Sequence, residues 1–331
     1  MKGESAIVLV GGFGTRLRPL TLSVPKQLIP IAGRPALYHV FDLLPPTVPH
    51  IGLACGYKAD EIELYLKEHP YPIPVRLVRE DTPLGTGGAM KNAAAFATDH
   101  FILLNGDVVS GIDIEAMVKE HHRLHAMGTM SLFPVDDTSP YGVAELDAQK
   151  RIVKFVEKPK TEEAPSHWIN AGASVWNREI LDLMPAGRQI SFEREILPGL
   201  LEKGVYGYAF TSWWEDAGTP DRVLNAQRLL FDHPQRRKTP WKSSAGKHVV
   251  QPVAVGEGCR LDGKLVGGYV TLGDKVQLED GSTVADSILM DNVVVGHGAT
   301  VTHSIIGPGV RIEPHAKVKN SCLALAPRAS P

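Results

Sequence analysis

The stretch that decides the fold of the C-terminal third is residues 270–312, VTLGDKVQLEDGSTVADSILMDNVVVGHGATVTHSIIGPGVRI. Large apolar residues return in it every five or six positions, and Leu272, Leu289 and Ile306 are each 17 residues apart. An α-helix repeats every 3.6 residues and a simple strand every two, so neither produces this period. A prism with flat sides of six residues does, whereas antiparallel hairpins are the alternative interpretation. The pattern predicts a left-handed parallel β-helix (hexapeptide repeat) over residues 249–323, with a tail over 324–331.

Upstream of this repeat, residues 1–231 alternate short apolar runs with helical patterns. The apolar runs are 6–10, 51–55, 75–78 and 101–104, and helical spacing follows Pro35. Alternating strands and helices predict a Rossmann-like α/β domain with a mostly parallel sheet, whose ligands bind at the carboxyl ends of the strands. Residues 232–248 have no apolar period and are predicted to be a linker.

The composition of the chain excludes several classes of protein. The chain has 331 residues, a formal net charge of −2 and three widely spaced cysteines. A near-neutral charge argues against binding nucleic acid, and no apolar run reaches the roughly 20 residues that span a bilayer. The cysteines form neither a disulfide framework nor a metal-type pair. With no signal peptide apparent at the N-terminus, we expect a cytoplasmic protein that binds neither membranes nor nucleic acid.

A glycine-rich loop follows the first apolar run. Its sequence is GGFGTRLRPLT over residues 11–21, with Pro25 and Lys26 beyond. Glycines let the backbone approach an anion and aim several N–H groups at it. Arg16 and Lys26 add cationic donors for phosphate oxygens. The spacing matches neither a Walker A loop nor a dinucleotide-binding fingerprint.

Six ordered motifs carry a resemblance to a known family. They are the string from Gly11 to Pro30, Leu84–Gly88, Asn105–Asp107, Glu157–Pro159, Asn170–Gly172 and Trp214–Thr219. Together they resemble the sugar-nucleotide pyrophosphorylases, a nucleotidyltransferase family in which a β-helix tail is common. The resemblance implies that a sugar 1-phosphate attacks the α-phosphorus of a nucleoside triphosphate and that pyrophosphate leaves. The nucleophile is already an anion, so the chemistry calls for cations and a metal ion rather than a general base.

The resemblance also implies roles for individual residues. The catalytic residues would be Arg16, Lys26, Asp107 and Asp216, and the two aspartates would hold Mg²⁺. Nucleotide binding would fall to Gly11, Gly12, Gly14, Thr15, Glu80, Gly85 and Gly106. Sugar-phosphate binding would fall to Glu157, Lys158, Asn170 and Gly172.

Two residues point to different nucleotide bases. Residues 187–195, GRQISFERE, together with the Asn-Ala-Gly motif, resemble the mannose-1-phosphate guanylyltransferase branch. Glu80 stands where uridylyl and thymidylyl members have a glutamine, and a carboxylate would accept from the N1–H and 2-amino groups of guanine. Gln27 instead resembles the thymidylyltransferase branch. We expect GTP and mannose 1-phosphate as substrates. The alternatives are transfer of the nucleotidyl group of dTTP, UTP or ATP to glucose 1-phosphate, and a non-catalytic regulatory binder of sugar nucleotides.

The histidines and tryptophans are not assigned to the site. His121 and His125 share the i, i+4 spacing of some zinc ligands but lack a partner glutamate, so a solvated helix face is expected. Histidines 297, 303 and 315 leave acyl transfer open as a weaker alternative for the β-helix. Trp213 and Trp214 fit either a sugar pocket or the core. The exposed ends of a short prism predict a homo-oligomer, dimeric or tetrameric, assembled through the β-helix.

Overall fold

The computed structural model describes residues 3–236, 238, 242, 248–263 and 265–326. These residues divide into two compact units. The first holds the described residues of Met1–Gly12 and Leu43–Trp214, and the second holds those of Phe13–Asp42 and Glu215–Pro331. Most of the predicted linker (residues 237, 239–241 and 243–247) and of the tail (327–331) lies outside the described residues. The sequence-based domain boundaries therefore stay a prediction.

In chain order, the strands up to residue 216 are β1 (Ser5–Leu9), β2 (Pro30–Ile31), β3 (Arg34–Pro35), β4 (Ile51–Cys55), β5 (Val75–Arg79), β6 (His100–Asn105), β7 (Val108–Ser110), β8 (Gly128–Pro134), β9 (Gly142–Leu146), β10 (Ile152–Glu157), β11 (Trp168–Asn177), β12 (Val205–Ala209) and β13 (Trp214–Asp216). The α-helices are α1 (Ala36–Asp42), α2 (Ala59–Glu68), α3 (Gly85–Asn92), α4 (Ile114–Arg123), α5 (Leu197–Leu200) and α6 (Pro220–Asp232). In the described part of the chain, no helix is long and apolar enough to cross a membrane.

The sheet of the first unit is parallel along β5-β4-β1-β6. Within it, Ile7 pairs with Gly52 on one side and with Leu103 on the other. Ile7 and Leu53 are fully buried, as expected for parallel strands that are covered on both faces. These strands coincide with the apolar runs of the sequence, so the Rossmann-like prediction is confirmed.

Beyond β6 the sheet becomes mixed. Strand β11 pairs antiparallel with β6, β8 and β9, and β9 pairs antiparallel with β10. The connection from Leu146 to Ile152 is too short for the helical crossover that parallel neighbours need. The parallel arrangement predicted from the N-terminal half therefore does not extend over the whole sheet.

The second unit contains the predicted β-helix. Its strands are β14 (Val249–Val250), β15 (Val253–Val255), β16 (Arg260–Leu261), β17 (Leu265–Gly267), β18 (Val270–Leu272), β19 (Gln277–Leu278), β20 (Thr283–Ala285), β21 (Ile288–Leu289), β22 (Val294–Val295), β23 (Thr300–Thr302), β24 (Ile305–Ile306), β25 (Arg311–Ile312), β26 (Lys317–Lys319) and β27 (Cys322–Leu323). Over the described residues they form three parallel sheets, in the orders β14-β17-β20-β23-β26, β15-β18-β21-β24-β27 and β16-β19-β22-β25.

The register of these sheets explains the sequence period. Leu272 pairs with Leu289, which pairs with Ile306. Each residue is buried and stacks on its equivalent one coil away, so the inward side chains form a continuous apolar core. One step is longer: Val266 pairs with Val284, 18 residues on. The left-handed β-helix prediction is confirmed.

A column of serines runs through the coils of the β-helix. The Ser304 N–H donates to Ser287 Oγ at 3.1 Å, and the Ser321 N–H donates to Ser304 Oγ at 3.2 Å. Ser287 and Ser304 are buried. Each hydroxyl therefore accepts a hydrogen bond from a backbone N–H of the next coil, and these bonds join neighbouring coils beside the apolar core.

Candidate active site

The carboxyl ends of four parallel strands in the first unit lie at one edge of the sheet. Gly11 follows β1, Gly56 follows β4, Glu80 follows β5, and Gly106 and Asp107 follow β6. Open α/β sheets bind their ligands at this edge. The structure thus gathers four residues of the predicted nucleotide and metal sites, namely Gly11, Glu80, Gly106 and Asp107, along a single edge.

The carboxylate of Glu80 lies against the backbone of Gly11. A Cβ atom built on Gly11 would be 3.5 Å from both carboxylate oxygens. Glu80 Oε2 accepts a hydrogen bond from the Leu84 N–H at 3.3 Å, whereas Oε1 is buried with no hydrogen-bond partner among the described residues. Burial raises the pKa of Glu80, and the Leu84 N–H offsets part of that rise. A buried acceptor without a donor costs free energy until a ligand supplies one.

The Leu-Gly motif of the first unit binds the segment 187–195 through its backbone. The Ile190 N–H donates to the Leu84 carbonyl at 2.8 Å, and the Gly87 N–H donates to the Ile190 carbonyl at 2.9 Å. Gly85 has φ +68, and a Cβ atom there would be 2.5 Å from the Ile190 carbonyl oxygen. Only glycine combines this dihedral with so close an approach. The Leu-Gly motif and segment 187–195 are therefore one structural element.

Side chains reinforce the same junction, and the sequence analysis missed them. Thr86 Oγ1 donates to Glu193 Oε2 at 2.6 Å and accepts from the Phe192 N–H at 2.9 Å. The Ser191 N–H donates to Glu195 Oε1 at 2.8 Å. Thr86, Glu193 and Glu195 lie inside the recognised motifs, but the Thr86–Glu193 pairing spans 107 residues and no spacing rule reveals it.

The Asn-Ala-Gly motif forms a bulge in β11. The pairing of β11 with β8 shifts register between Asn170 and Ser174. Asn170 Oδ1 accepts a hydrogen bond from the Gly172 N–H at 3.1 Å. Gly172 has φ +81, and a Cβ atom there would be 3.1 Å from Asn105 Nδ2. The bulge turns this motif toward the end of β6, where Asn105, Gly106 and Asp107 lie.

Trp214 supports the bulge from the core. Its indole N–H donates to the Ala171 carbonyl at 2.9 Å, in a buried hydrogen bond. Its ring lies 5.9 Å from Phe133 and 5.3 Å from Tyr141, centroid to centroid. Trp213 is also buried. Of the two roles that the sequence left open for the tryptophans, the structure shows core packing.

Glu157 and Lys158 form a half-buried ion pair at the end of β10. Their side chains are 18% and 57% exposed, and Lys158 Nζ is 3.7 Å from Glu157 Oε1. Burial raises the pKa of Glu157, the Glu193 carboxylate adds to the rise, and Lys158 and Arg194 oppose it. The Glu157 carboxylate is therefore a sheltered acceptor, and Lys158 is the more exposed member of the pair.

From Phe13 onward the glycine-rich loop belongs to the second unit, whereas Gly12 is grouped with the first. Gly14 precedes the 3-10 turn Thr15–Leu17, and its carbonyl accepts from Thr21 Oγ1 at 2.8 Å. A Cβ atom on Gly14 would be 3.4 Å from Lys26 Cβ. Gly14 and Lys26 are thus neighbours, while Thr15 is exposed.

Arg16 and Asp216 converge at Gly218 in the second unit. A Cβ atom built on Gly218 would be 2.5 Å from Arg16 Nη2 and 2.9 Å from Asp216 Oδ1. Asp216 Oδ2 is also 3.5 Å from Arg222 Nη1. The absence of a side chain at position 218 therefore leaves space for a cation and a carboxylate side by side. Asp107 belongs to the first unit.

Gln27 and His121 are both buried. Gln27 is 2% exposed in the second unit, so almost none of its surface is left for a nucleotide.

His121 is fully buried in α4, with its ring nitrogens within 3.1 Å of Thr129 Oγ1 and 3.2 Å of Asn177 Oδ1. The expectation of a solvated face was wrong for His121, which is a core histidine with polar partners.

Comparison with known families places both halves of the chain. The model of the nucleotidyl transferase family matches residues 5–233. The model of the GMPPB C-terminal domain matches residues 246–326. The first match alone covers well over half of the chain, and the two matches follow one another as the two sequence patterns do.

Relatives from distant organisms cover most of the chain. A mannose-1-phosphate guanylyltransferase from Mycobacterium tuberculosis is 36% identical over 294 residues, which span 86% of this chain and 80% of the relative. The mannose-1-phosphate guanylyltransferase catalytic subunit beta of Drosophila melanogaster is 34% identical, over 78% of this chain and 72% of the relative. Mannose-1-phosphate guanylyltransferase 1 of Arabidopsis thaliana is 33% identical, over 86% and 81%.

Solved structures agree with the family assignment. HddC from Yersinia pseudotuberculosis, crystallised with GMP-PN, is 29% identical with a TM-score of 0.58, over 69% of this chain and 100% of HddC. A putative glucose-1-phosphate thymidylyltransferase from Bacillus anthracis, 24% identical with a TM-score of 0.62 over 72% of this chain and 97% of its own, shows the shared fold. The chain belongs to the nucleotidyltransferase family and is a nucleotidyltransferase enzyme.

Proposed function

We propose that the enzyme is a mannose-1-phosphate guanylyltransferase, which converts mannose 1-phosphate and GTP to GDP-mannose and pyrophosphate. A nucleoside triphosphate and a sugar phosphate are the substrates that fit the family. The choice of mannose 1-phosphate is supported by relatives with that name in bacteria, plants and animals. The segment 187–195 and the Asn-Ala-Gly motif, which resemble that branch, support it as well.

The observation that carries the choice of GTP is the buried carboxylate of Glu80. Its Oε1 has no donor among the described residues, and it lies beside Gly11 at the edge of the sheet where ligands bind. Guanine presents two adjacent donors, N1–H and the 2-amino group, which a carboxylate can accept together. A pyrimidine would place a carbonyl oxygen opposite the same acceptor. The burial of Gln27 weakens the competing argument for a thymidylyltransferase.

The reaction is an in-line displacement at the α-phosphorus. A phosphate oxygen of mannose 1-phosphate forms the new P–O bond, and the bond to the pyrophosphate oxygen breaks. We assign Arg16 to the departing pyrophosphate and Lys26 to the α-phosphate, because fixed cations lower the free energy of the charged transition state. Glycines 11, 12 and 14, with Thr15, would bring backbone N–H groups to the phosphates.

Nucleotidyltransferases of this type typically use a divalent metal ion. We propose Mg²⁺, held by Asp107 and Asp216. The donor chemistry fits, since both are carboxylates and Mg²⁺ prefers hard oxygen ligands. Asp216 Oδ1 is shielded from solvent beside Gly218, and Asp107 follows the buried strand β6. Such an ion would neutralise charge on the phosphates, and the protein's part is to present the two carboxylates.

On the sugar side, we assign Glu157, Asn170 and Gly172 to the sugar and Lys158 to its phosphate. Glu157 is a sheltered acceptor for hydroxyl groups, and the Asn170 bulge lies near the end of β6. Gly85 and Gly106 would let the nucleotide approach the backbone. We further propose that residues 1–231 and 249–323 act as catalytic and β-helix domains, that the β-helix assembles a dimer or tetramer, and that the enzyme works in the cytoplasm.

The test of base selection is a comparison of pyrophosphate release from GTP and from dTTP at equal concentration. A bidentate base contact contributes about 1–3 kcal/mol, so we expect a preference for GTP of about tenfold to hundredfold. Glu80→Gln should lower activity with GTP and narrow this gap. Asp81→Asn is the matched control, because it removes the same charge from the next, exposed residue. Equal activity with both nucleotides, unchanged in Glu80→Gln, would refute the assignment.

A second experiment separates the enzyme from a regulatory binder. Asp107→Asn removes a proposed metal ligand and keeps the side-chain shape. We expect nucleotide binding, measured by calorimetry, to persist while pyrophosphate release is lost. Undiminished release in this variant would show that Asp107 does not hold the metal.

A further inference from the structure

The β-helix of the second unit is connected to the hairpin β2–β3 by one buried amide. Gln227, on α6, is fully buried. Its Oε1 accepts from the Ala32 N–H at 3.3 Å and from Thr271 Oγ1 at 2.6 Å. Its Nε2 donates to the Tyr269 carbonyl at 2.8 Å and the Ser287 carbonyl at 3.4 Å. One side chain thus bonds three residues of the β-helix and one residue of the hairpin β2–β3.

The hairpin bound by Gln227 immediately follows the segment that carries Lys26. Lys26 begins a 3-10 turn that ends at Leu28, and β2 starts two residues later. The hairpin turns at Ala32, which has φ +47, a dihedral that costs free energy for a residue other than glycine. A turn of this kind persists only where its surroundings hold it, and the bond from the Ala32 N–H to Gln227 is part of that hold.

A second contact joins the glycine-rich loop to the last coils. A Cβ atom on Gly307 would be 3.1 Å from Leu20 Cδ1, and Cys322 Sγ lies 3.8 Å from the Leu17 carbonyl oxygen. The division of the chain into compact units agrees with these contacts. Residues Phe13–Asp42 group with Glu215–Pro331 and not with the strands that flank them in sequence. The β-helix therefore contacts the chain before Lys26 directly, at Leu17 and Leu20, and is joined to the chain after Lys26 through Gln227.

We propose that Gln227 is a positioning residue for Lys26. Through Gln227 and the hairpin β2–β3, the β-helix of the same chain fixes the position of Lys26. The inference rests on the role proposed above for Lys26. It gives the β-helix a part in catalysis within one chain, separate from assembly. Since misplacing a reacting group by about 1 Å costs up to about a hundredfold in rate, a relaxed hairpin should lower kcat more than it raises KM.

The test is a double-mutant cycle of Gln227→Met and Lys26→Met, read as kcat and KM for GTP. Methionine keeps the volume of Gln227 and removes all four hydrogen bonds. We expect Gln227→Met to lower kcat about tenfold, with a smaller change in KM. In the Lys26→Met background the same substitution should have little further effect, because residues that act as a unit are not additive.

Two further variants keep the proposal falsifiable. Ser304→Ala is the matched control: it removes the hydrogen bonds of the Ser304 hydroxyl with the Ser321 N–H and the Thr302 carbonyl without touching the hairpin, and should lower the melting temperature but not kcat. Thr271→Val removes one bond to Gln227 and should lower kcat in the same direction if Gln227→Met does not fold. Additive losses in the cycle, or equal kcat losses in Ser304→Ala and the Gln227 or Thr271 variants, would overturn the proposal. Full activity of Lys26→Met would instead refute the proposed site.

Discussion

Replacing Gly85 by alanine tests whether the junction between the Leu-Gly motif and segment 187–195 organises the nucleotide site. Gly187 provides a matched control, because the two glycines have almost the same dihedral, φ +68 and φ +69. A Cβ atom on Gly187 meets nothing within 4 Å, whereas one on Gly85 would be 2.5 Å from the Ile190 carbonyl oxygen. The difference between the two variants therefore isolates the clash from the cost of the dihedral.

The magnitude follows from the contacts. A left-handed dihedral costs a residue with a Cβ about 1–2 kcal/mol, and both variants lose this much. In Gly85→Ala the carbonyl of Ile190 must also move, which weakens its bond to the Gly87 N–H and the bond from the Ile190 N–H to Leu84. At about 0.5–1.5 kcal/mol for each hydrogen bond, Gly85→Ala should be destabilised by about 1–3 kcal/mol more than Gly187→Ala.

The assay is urea unfolding of both variants, followed by steady-state kinetics with GTP. We expect Gly187→Ala to retain the KM of the parent. Gly85→Ala should raise it, since the Leu84 N–H that binds Glu80 lies in the displaced segment. Equal losses of stability in the two variants would refute the reasoning, because they would show that the junction yields without cost.

Three further outcomes are expected. Burial raises the pKa of Glu80, and only its carboxylate form accepts from both guanine donors, N1–H and the 2-amino group. The KM for GTP should therefore begin to rise on acidification at a pH above the usual range for a glutamate, and this pH dependence should be lost in Glu80→Gln. Burial lowers the pKa of His121 from 6.5 to about 4, so the unfolded chain binds the proton at a higher pH than the folded chain does. The free energy of unfolding should therefore fall by up to about 3 kcal/mol as the pH drops from 6.5 to about 4. His121→Gln should flatten this dependence on pH. Chelation of divalent ions should abolish turnover, and added Mg²⁺ should restore it in the parent but not in Asp216→Asn, measured by direct chromatography of the nucleotide-sugar product.

Much of the fold was predictable because its signals are periodic and local. The 17-residue spacing of Leu272, Leu289 and Ile306 is the coil register itself. The antiparallel half of the main sheet was not predictable in the same way, since the partners of β11 are set by long-range pairing rather than by any pattern within the strand.

The candidate site shows the same limit. Sequence motifs indicated Glu80, but its unpartnered oxygen beside Gly11 is a fact of packing. His121 was recoverable: with Ile114, Met117 and Val118 it completes the i, i+3, i+4, i+7 stripe of α4, and that stripe is buried. Gln227 was out of reach, because its partner Ala32 is 195 residues away.

The register of the β-helix also governs how this part of the molecule can change in length. Leu278, Val295 and Ile312 pair in succession, one coil apart, and every inward side chain has such a partner above or below it. An insertion within a flat side would turn the following apolar residues to water, and the 18-residue step from Val266 to Val284 indicates that extra residues are tolerated between sides. We therefore expect this part of the protein to change in length by whole coils, because each coil presents the same inward positions to the next.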